Sequence, residues 1–156
     1  MSAEDAFFSL EGAVSSVPQP AGAYVPAVLS GSYVYTAGQL PFVDGALPAI
    51  GKVGERDGLV SPSDAAALAR TAAINALAAA RSVLGSLDRV TRVVKVVGFV
   101  ASDPSFAGQP GVINGASELL GSVFGPEIGA HARSAVGVAV LPLDSPVEVE
   151  LILEFD

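Results

Sequence analysis

Arg133, Glu148, Glu150, His131 and Asn114 are the side chains with the most chemical capacity in this 156-residue chain, which holds one histidine and no cysteine. Thiolate catalysis, disulfides, Cys-based zinc sites and multi-His metal clusters are thereby excluded. A Ser-His-Asp site would have to use His131 as its base. That residue sits in a Gly- and Pro-containing connection before an apolar run, the usual setting of a solvated loop histidine, and no nucleophile motif accompanies it. Arg133 is more informative because it opens the apolar run Ser134 to Leu141. A guanidinium there needs either a carboxylate partner, as in an ordinary strand-end ion pair with a surface acid, or an anionic ligand. Glu148 and Glu150 read as the hydrated face of an alternating strand. Asn114-Gly115 fits a helix N-terminus, a tight turn, or an amide that holds a ligand.

The elements that must position these groups follow from periodicity and punctuation. Val14 to Gly22, with Pro18 and Pro20, reads as extended. Ala27 to Leu29 and Tyr33 to Ala37 flank Ser30-Gly31-Ser32 as a β-hairpin. Val43 to Gly58 is a Gly-rich loop suited to covering a site or a partner. Ser61-Pro62-Ser63-Asp64 starts a helix that runs to about Leu84 and ends at Gly85, with Asp64, Thr71, Asn75 and Ser82 as a polar stripe in an Ala-rich surface. Val90 to Val100 is β-branched enough for a central strand. After a loop over Asp103 to Gly111, Ile113, Ala116, Leu120, Val123 and Phe124 recur at helical spacing until Gly125-Pro126. Ser134 to Leu141 and Val147 to Phe155 are strands joined by Pro142 to Pro146. The order β-β-α-β-α-β-β implies one α+β domain over residues 1–156, with both helices packed on one face of a mixed sheet.

Composition narrows the partners. Eight Lys and Arg against sixteen Asp and Glu leave a net charge of −8, which repels phosphate backbones and anionic headgroups. No nucleic-acid and no membrane partner is expected, and no dinucleotide, P-loop, G-x-S-x-G, H-E-x-x-H or EF-hand motif occurs. Met1 to Asp5 has two acids and no basic n-region, so a cytoplasmic location is expected. A hydrophobic fraction of 51% with 15% charged residues exceeds what a small monomer can cover, so part of the excess belongs in a subunit interface.

Several segments together resemble the reactive intermediate deaminase family, also called the YjgF or RidA family. They are Ala21-Gly22-Ala23-Tyr24, Tyr35-Thr36-Ala37-Gly38-Gln39-Leu40-Pro41, Val94-Lys95-Val96, Asp103, His131-Ala132-Arg133-Ser134, Leu141-Pro142 and Val147-Glu148-Val149-Glu150, in the family's order. The resemblance implies a chorismate-mutase-like α+β fold and a homotrimer with clefts between subunits. It also implies hydrolysis of 2-enamino and 2-imino carboxylates to 2-oxo acids and ammonia, with no cofactor. Arg133 would hold the substrate carboxylate and Glu148 the attacking water. Tyr24, Ala37, Gly38, Asn114 and Ala135 would line the pocket. Ala37 and Ala135 replace polar residues of typical deaminating members, and the Val43 to Ser63 stretch is longer than in compact ones. A non-catalytic protein that binds a small carboxylate is therefore the alternative, and an interaction protein whose apolar clefts bind a partner chain is a third.

One geometric expectation concerns the last two strands. If they form a hairpin with Leu141 opposite Val147, Glu148 lies beside Val140, roughly 23 Å along the strand from Arg133. The two side chains could then serve one pocket only from different subunits.

Overall fold

The computed structural model describes residues 1–17 and 19–156, so Pro18 lies outside the described residues. The described remainder of the Val14 to Gly22 stretch belongs to no strand. Ser61 behaves as a cap: its hydroxyl oxygen accepts the Asp64 backbone N–H at 3.1 Å, and Pro62 opens the helix. That helix spans Pro62–Leu84 and ends at Gly85, whose φ of +86° suits glycine. Because an earlier short helix, α1 (Ala3–Phe8), precedes it, the long one is α2. The sequence offers α1 no periodicity to find it by. Ser2 caps it, and its single turn buries Phe7 completely.

Alanines 65, 69, 72, 73, 76, 79 and 80 of α2 are fully buried. A methyl is what fits where the helix meets both the sheet and a second long helix, α3 (Gln109–Ile128). The two helices approach so closely that a Cβ on Gly115 would stand 2.8 Å from the Ala66 carbonyl carbon. α3 does not stop at Gly125-Pro126 as expected. It kinks there, with Gly125 at φ +79°, and one further turn follows.

The sheet contains β1 (Ala27–Ser30), β2 (Tyr33–Thr36), β3 (Val90–Ala101), β4 (Ala132–Val138) and β5 (Val147–Phe155), in the order β1-β2-β5-β3-β4. The hairpin around Gly31 forms as expected. The expected pairing of β4 with β5 does not. β4 lies parallel to β3, with Val96 opposite Arg133, and β5 is inserted between β2 and β3, with Glu148 opposite Phe99. The reason is the crossover: β3, α3 and β4 form a strand–helix–strand unit, which returns its second strand parallel to its first. Alternation in β5 states which side chains share a face, and it suits an interior strand as well as a hairpin arm.

Val147, Val149, Leu151 and Leu153 face the helices and are buried, whereas Glu148, Glu150, Ile152 and Glu154 face away. The outward face also carries the exposed Val28, Tyr33, Tyr35 and Val136. It is an amphipathic α+β layer with helices on one side only, the chorismate-mutase-like architecture. The Gly-rich loop after β2 is anchored rather than free. Val53 is fully buried and pairs with the end of β3, accepting from Asp103 and donating to Ala101. Among the described residues no helix is long and apolar enough to cross a membrane.

Candidate functional site

β4 is the edge strand beside β3, and its odd-numbered residues share a face with Val96 and Gly98, toward α3. Arg133 therefore leaves the sheet on the helix side and lies against α3. Its Nη1 donates to Asn114 Oδ1 at 2.8 Å and to Ser117 Oγ at 3.1 Å, and its Nη2 donates to the Pro110 carbonyl oxygen at 3.2 Å. All three acceptors are neutral. Among the described residues the ion pairs are Arg56 with Asp103 and Arg81 with Glu4, so the ordinary strand-end ion pair expected for Arg133 is absent. Three of the five guanidinium N–H groups are engaged, leaving Nε–H and one Nη2–H on neighbouring nitrogens. Asn114 lies inside α3, at neither a helix start nor a turn, and acts as an acceptor for the arginine. Ala135 shares the face of Arg133, half-buried opposite Gly98.

A second group of the expected residues meets elsewhere. Tyr24, Gly38, Leu40, Phe42, Leu143 and Glu148 line a cleft of about 310 Å³ on the other side of the sheet. Its shape begins with a break in the β2–β5 ladder. Tyr35 pairs with Ile152, but the next bridge joins Gln39 to Val149, so the chain through Ala37 and Gly38 contains one residue more than its partner. Thr36 Oγ1 takes the Leu151 N–H that the bulge leaves over, and Ala37 donates to the Pro26 carbonyl. Bulges of this kind re-aim a chain beside a site. A Cβ at Gly38 would lie 2.8 Å from Glu148 Cδ, so the carboxylate occupies the space a side chain would fill. Asn75, from the buried side of α2, donates to both the Leu40 and Phe42 carbonyls and holds this wall in place.

Glu148 is half-buried, and that burial raises its pKa above the ordinary glutamate range, with the neighbouring Glu150 carboxylate pushing the same way. Across the cleft, Leu143 and Asp144 both adopt φ of +57°, a left-handed pair uncommon outside glycine. The Gly51 N–H donates to the Asp144 carbonyl, so the Gly-rich loop braces this lip from behind.

Arg133 and Glu148 are thus apart within one chain, for a reason other than the expected hairpin. Their partners on β3, Val96 and Phe99, are three residues apart, an odd interval, so the two side chains leave opposite faces. Two strand widths and three residues separate their Cα atoms by roughly 14 Å. Asn114, Arg133 and Ala135 form one candidate half-site, and Tyr24, Gly38 and Glu148 another, with Ala37 in the bulge beside the latter. The sequence reading passed over Ser117, which no motif marks; His131 lies in the connection before β4 as expected, half-buried, with its ring 2.9 Å from Ser117 Oγ. Among the described residues no group of three or more His, Asp or Glu side chains converges as a metal ion would require.

Comparison with known proteins identifies the family of the chain. Residues 9–155 match the family described as "YjgF/chorismate mutase-like, putative endoribonuclease". Protein TCP17 of Trypanosoma cruzi is 44% identical over 137 residues, covering 88% of this chain and 84% of that protein. The crystal structure of Atu1372 from Agrobacterium tumefaciens superimposes with a TM-score of 0.84 at 39% identity, covering 99% of this chain and 93% of that one. Escherichia coli TdcF, solved with bound serine, has a TM-score of 0.65 at 25% identity, with 92% and 96% covered.

Proposed function

Because the chain belongs to the YjgF/chorismate mutase-like family, we propose that it hydrolyses reactive 2-enamino and 2-imino carboxylates to 2-oxo acids and ammonia. Hydrolase chemistry of the RidA type has support at the level of the family. The observation that carries the finer reading is Arg133, a guanidinium held by three neutral acceptors with two adjacent N–H groups free. Two parallel donors fit the two oxygens of one carboxylate. The serine bound to TdcF, itself an amino acid with such a carboxylate, is consistent with a small-molecule ligand of this kind.

The half-sites come together by self-association, as a homotrimer in the cytoplasm. The uncovered apolar residues Val28, Tyr33, Tyr35 and Val136 on the outer sheet face support an interface there. Arg133 and Asn114 of one protomer then hold the carboxylate, while Glu148, Gly38 and Tyr24 of the neighbour close the other side. Water adds to the C=N carbon, and Glu148 takes its proton. Passing that proton to the imine nitrogen gives the carbinolamine, whose C–N bond breaks as its hydroxyl proton moves, again by way of Glu148, to the departing nitrogen, so water and imine give ketone and ammonia. A carboxylate whose pKa is raised by burial accepts a proton more readily than an ordinary glutamate does. The substrate is intrinsically reactive, so positioning and one proton carrier suffice.

The test couples a serine dehydratase, which releases 2-aminoacrylate, to detection of pyruvate. The protein should accelerate pyruvate formation over the spontaneous rate, and Arg133→Ala should remove the acceleration. The second reading, a non-catalytic binder of small carboxylates, is favoured by the methyl groups of Ala37 and Ala135 where deaminating relatives place polar side chains. Calorimetric binding of 2-oxo acids, with no acceleration on several imines, would establish it instead.

A further inference from the structure

The His131 ring is bonded at both nitrogens. Nδ1 stands 2.6 Å from the Gly129 carbonyl oxygen, and Nε2 stands 2.9 Å from Ser117 Oγ. A carbonyl oxygen can only accept, so Nδ1 carries the proton and, in the neutral ring, Nε2 accepts. The Ser117 hydroxyl must then donate to Nε2. With its hydrogen committed to the imidazole, Ser117 Oγ presents its lone pairs to Arg133, whose Nη1 donates to it. Four groups are aligned in one sense: guanidinium, hydroxyl, imidazole and the Gly129 carbonyl.

We infer that Ser117 and His131 are positioning residues for Arg133. Asn114 and Ser117 take the N–H groups of one nitrogen while Pro110 takes one from the other, which fixes the plane of the guanidinium and its rotation within that plane. Without Ser117 the same head would rest on Asn114 and a longer bond to Pro110, free to swing. The two remaining N–H groups would then have no set direction. An arginine carries rotamer freedom that must be given up when a carboxylate binds, and prior fixing of the head moves that loss to the folding step. His131 acts one bond further back. Its Gly129 contact selects the tautomer, and the tautomer selects which way the Ser117 hydroxyl points. This inference rests on Arg133 serving as the carboxylate anchor.

Three measurements on the full chain test it, with thermal unfolding as the check that each variant folds. Pyruvate binding, read by titration calorimetry, should weaken about tenfold in Ser117→Ala, as expected for loss of one bond to a charged group. Ser117→Thr, which keeps the hydroxyl, should restore most of it, and His131→Phe should behave as Ser117→Ala does. In an Arg133→Lys background, Ser117→Ala should change pyruvate affinity no further. In turnover, the Ser117→Ala loss should appear in KM rather than kcat. As the chain's one histidine, His131 should give a single set of ring nitrogen resonances, with the proton on Nδ1. A proton on Nε2, or unchanged pyruvate affinity in Ser117→Ala where Arg133→Ala removes binding, overturns the positioning role while sparing the anchor. Unchanged affinity in Arg133→Ala overturns the anchor itself, and the positioning role falls with it.

Discussion

Gly38→Ala separates function from stability in a way the structure makes quantitative. The added Cβ would lie 2.8 Å from Glu148 Cδ, against ordinary contact beginning near 3.4 Å, so the carboxylate must retreat by at least about 0.6 Å. What gives way is the far end of a flexible side chain, not backbone. Gly38 is also absent from the glycines with positive φ, so alanine adopts its backbone without strain. The unfolded chain loses freedom in the exchange, which favours the folded state by about 0.4–1 kcal/mol. Thermal unfolding should therefore stay within about 3 °C of the parent protein. Activity should respond very differently, since displacing a reacting group by about 1 Å costs on the order of a hundredfold. The displaced carboxylate also gains solvent, which relieves the burial that raises its pKa. The assay is coupled pyruvate release from 2-aminoacrylate, run beside calorimetric unfolding of the same sample. Full activity would refute the placement of Glu148 in the reaction. A fall of ten degrees or more in the unfolding temperature would refute the claim that only a side chain is displaced.

Glu148 and Asp103 should shape the pH dependence of stability in opposite senses. Burial raises the Glu148 pKa in the folded state, so the folded protein binds the proton more tightly and loses stability as pH rises through that range; Glu148→Gln should raise the unfolding temperature at pH 7 and have little effect below the ordinary glutamate pKa. Asp103 is held below the usual carboxylate range by the Arg56 guanidinium and the Ser105 hydroxyl, so its contribution is present above the unfolded pKa and disappears as pH falls through the folded one. Asp103→Asn should accordingly flatten the acid limb of the stability profile, read by urea unfolding between pH 6 and pH 2, and an unchanged acid limb would dismiss the pair as a stabilising element. Gly115→Ala sets a Cβ against the Ala66 backbone, where neither helix can yield cheaply; urea unfolding should show a loss of about 1–3 kcal/mol, and a loss near zero would mean that α2 and α3 part freely.

How much of this was legible beforehand depends on the range of the interaction. The ends of α2 were readable because Ser61, Pro62 and Gly85 act on their own backbone. So was β5, whose alternation records one buried and one open face. Its neighbours were not, since alternation carries no identity of the strand alongside, and only the crossover through α3 decides that β4 lies beside β3. The candidate site residues come from family resemblance, and their division between two faces depends on the β3 register, which the linear order of Arg133 and Glu148 does not encode. α1 escaped notice because one helical turn has no period to detect, and its burial of Phe7 is a tertiary event. His131 is the loop residue its neighbours in sequence suggest, but its partner Ser117 stands fourteen positions earlier, across the end of α3, where no local pattern reveals it.

The middle strand of the sheet, β5, is also the last element in chain order. During synthesis the β1–β2 hairpin and the β3–α3–β4 unit therefore emerge as separate pieces, each with an unfilled edge where the final strand will dock. The closing step must wait for translation to reach Val147, and until then both open edges are targets for chaperones or for a neighbouring nascent chain.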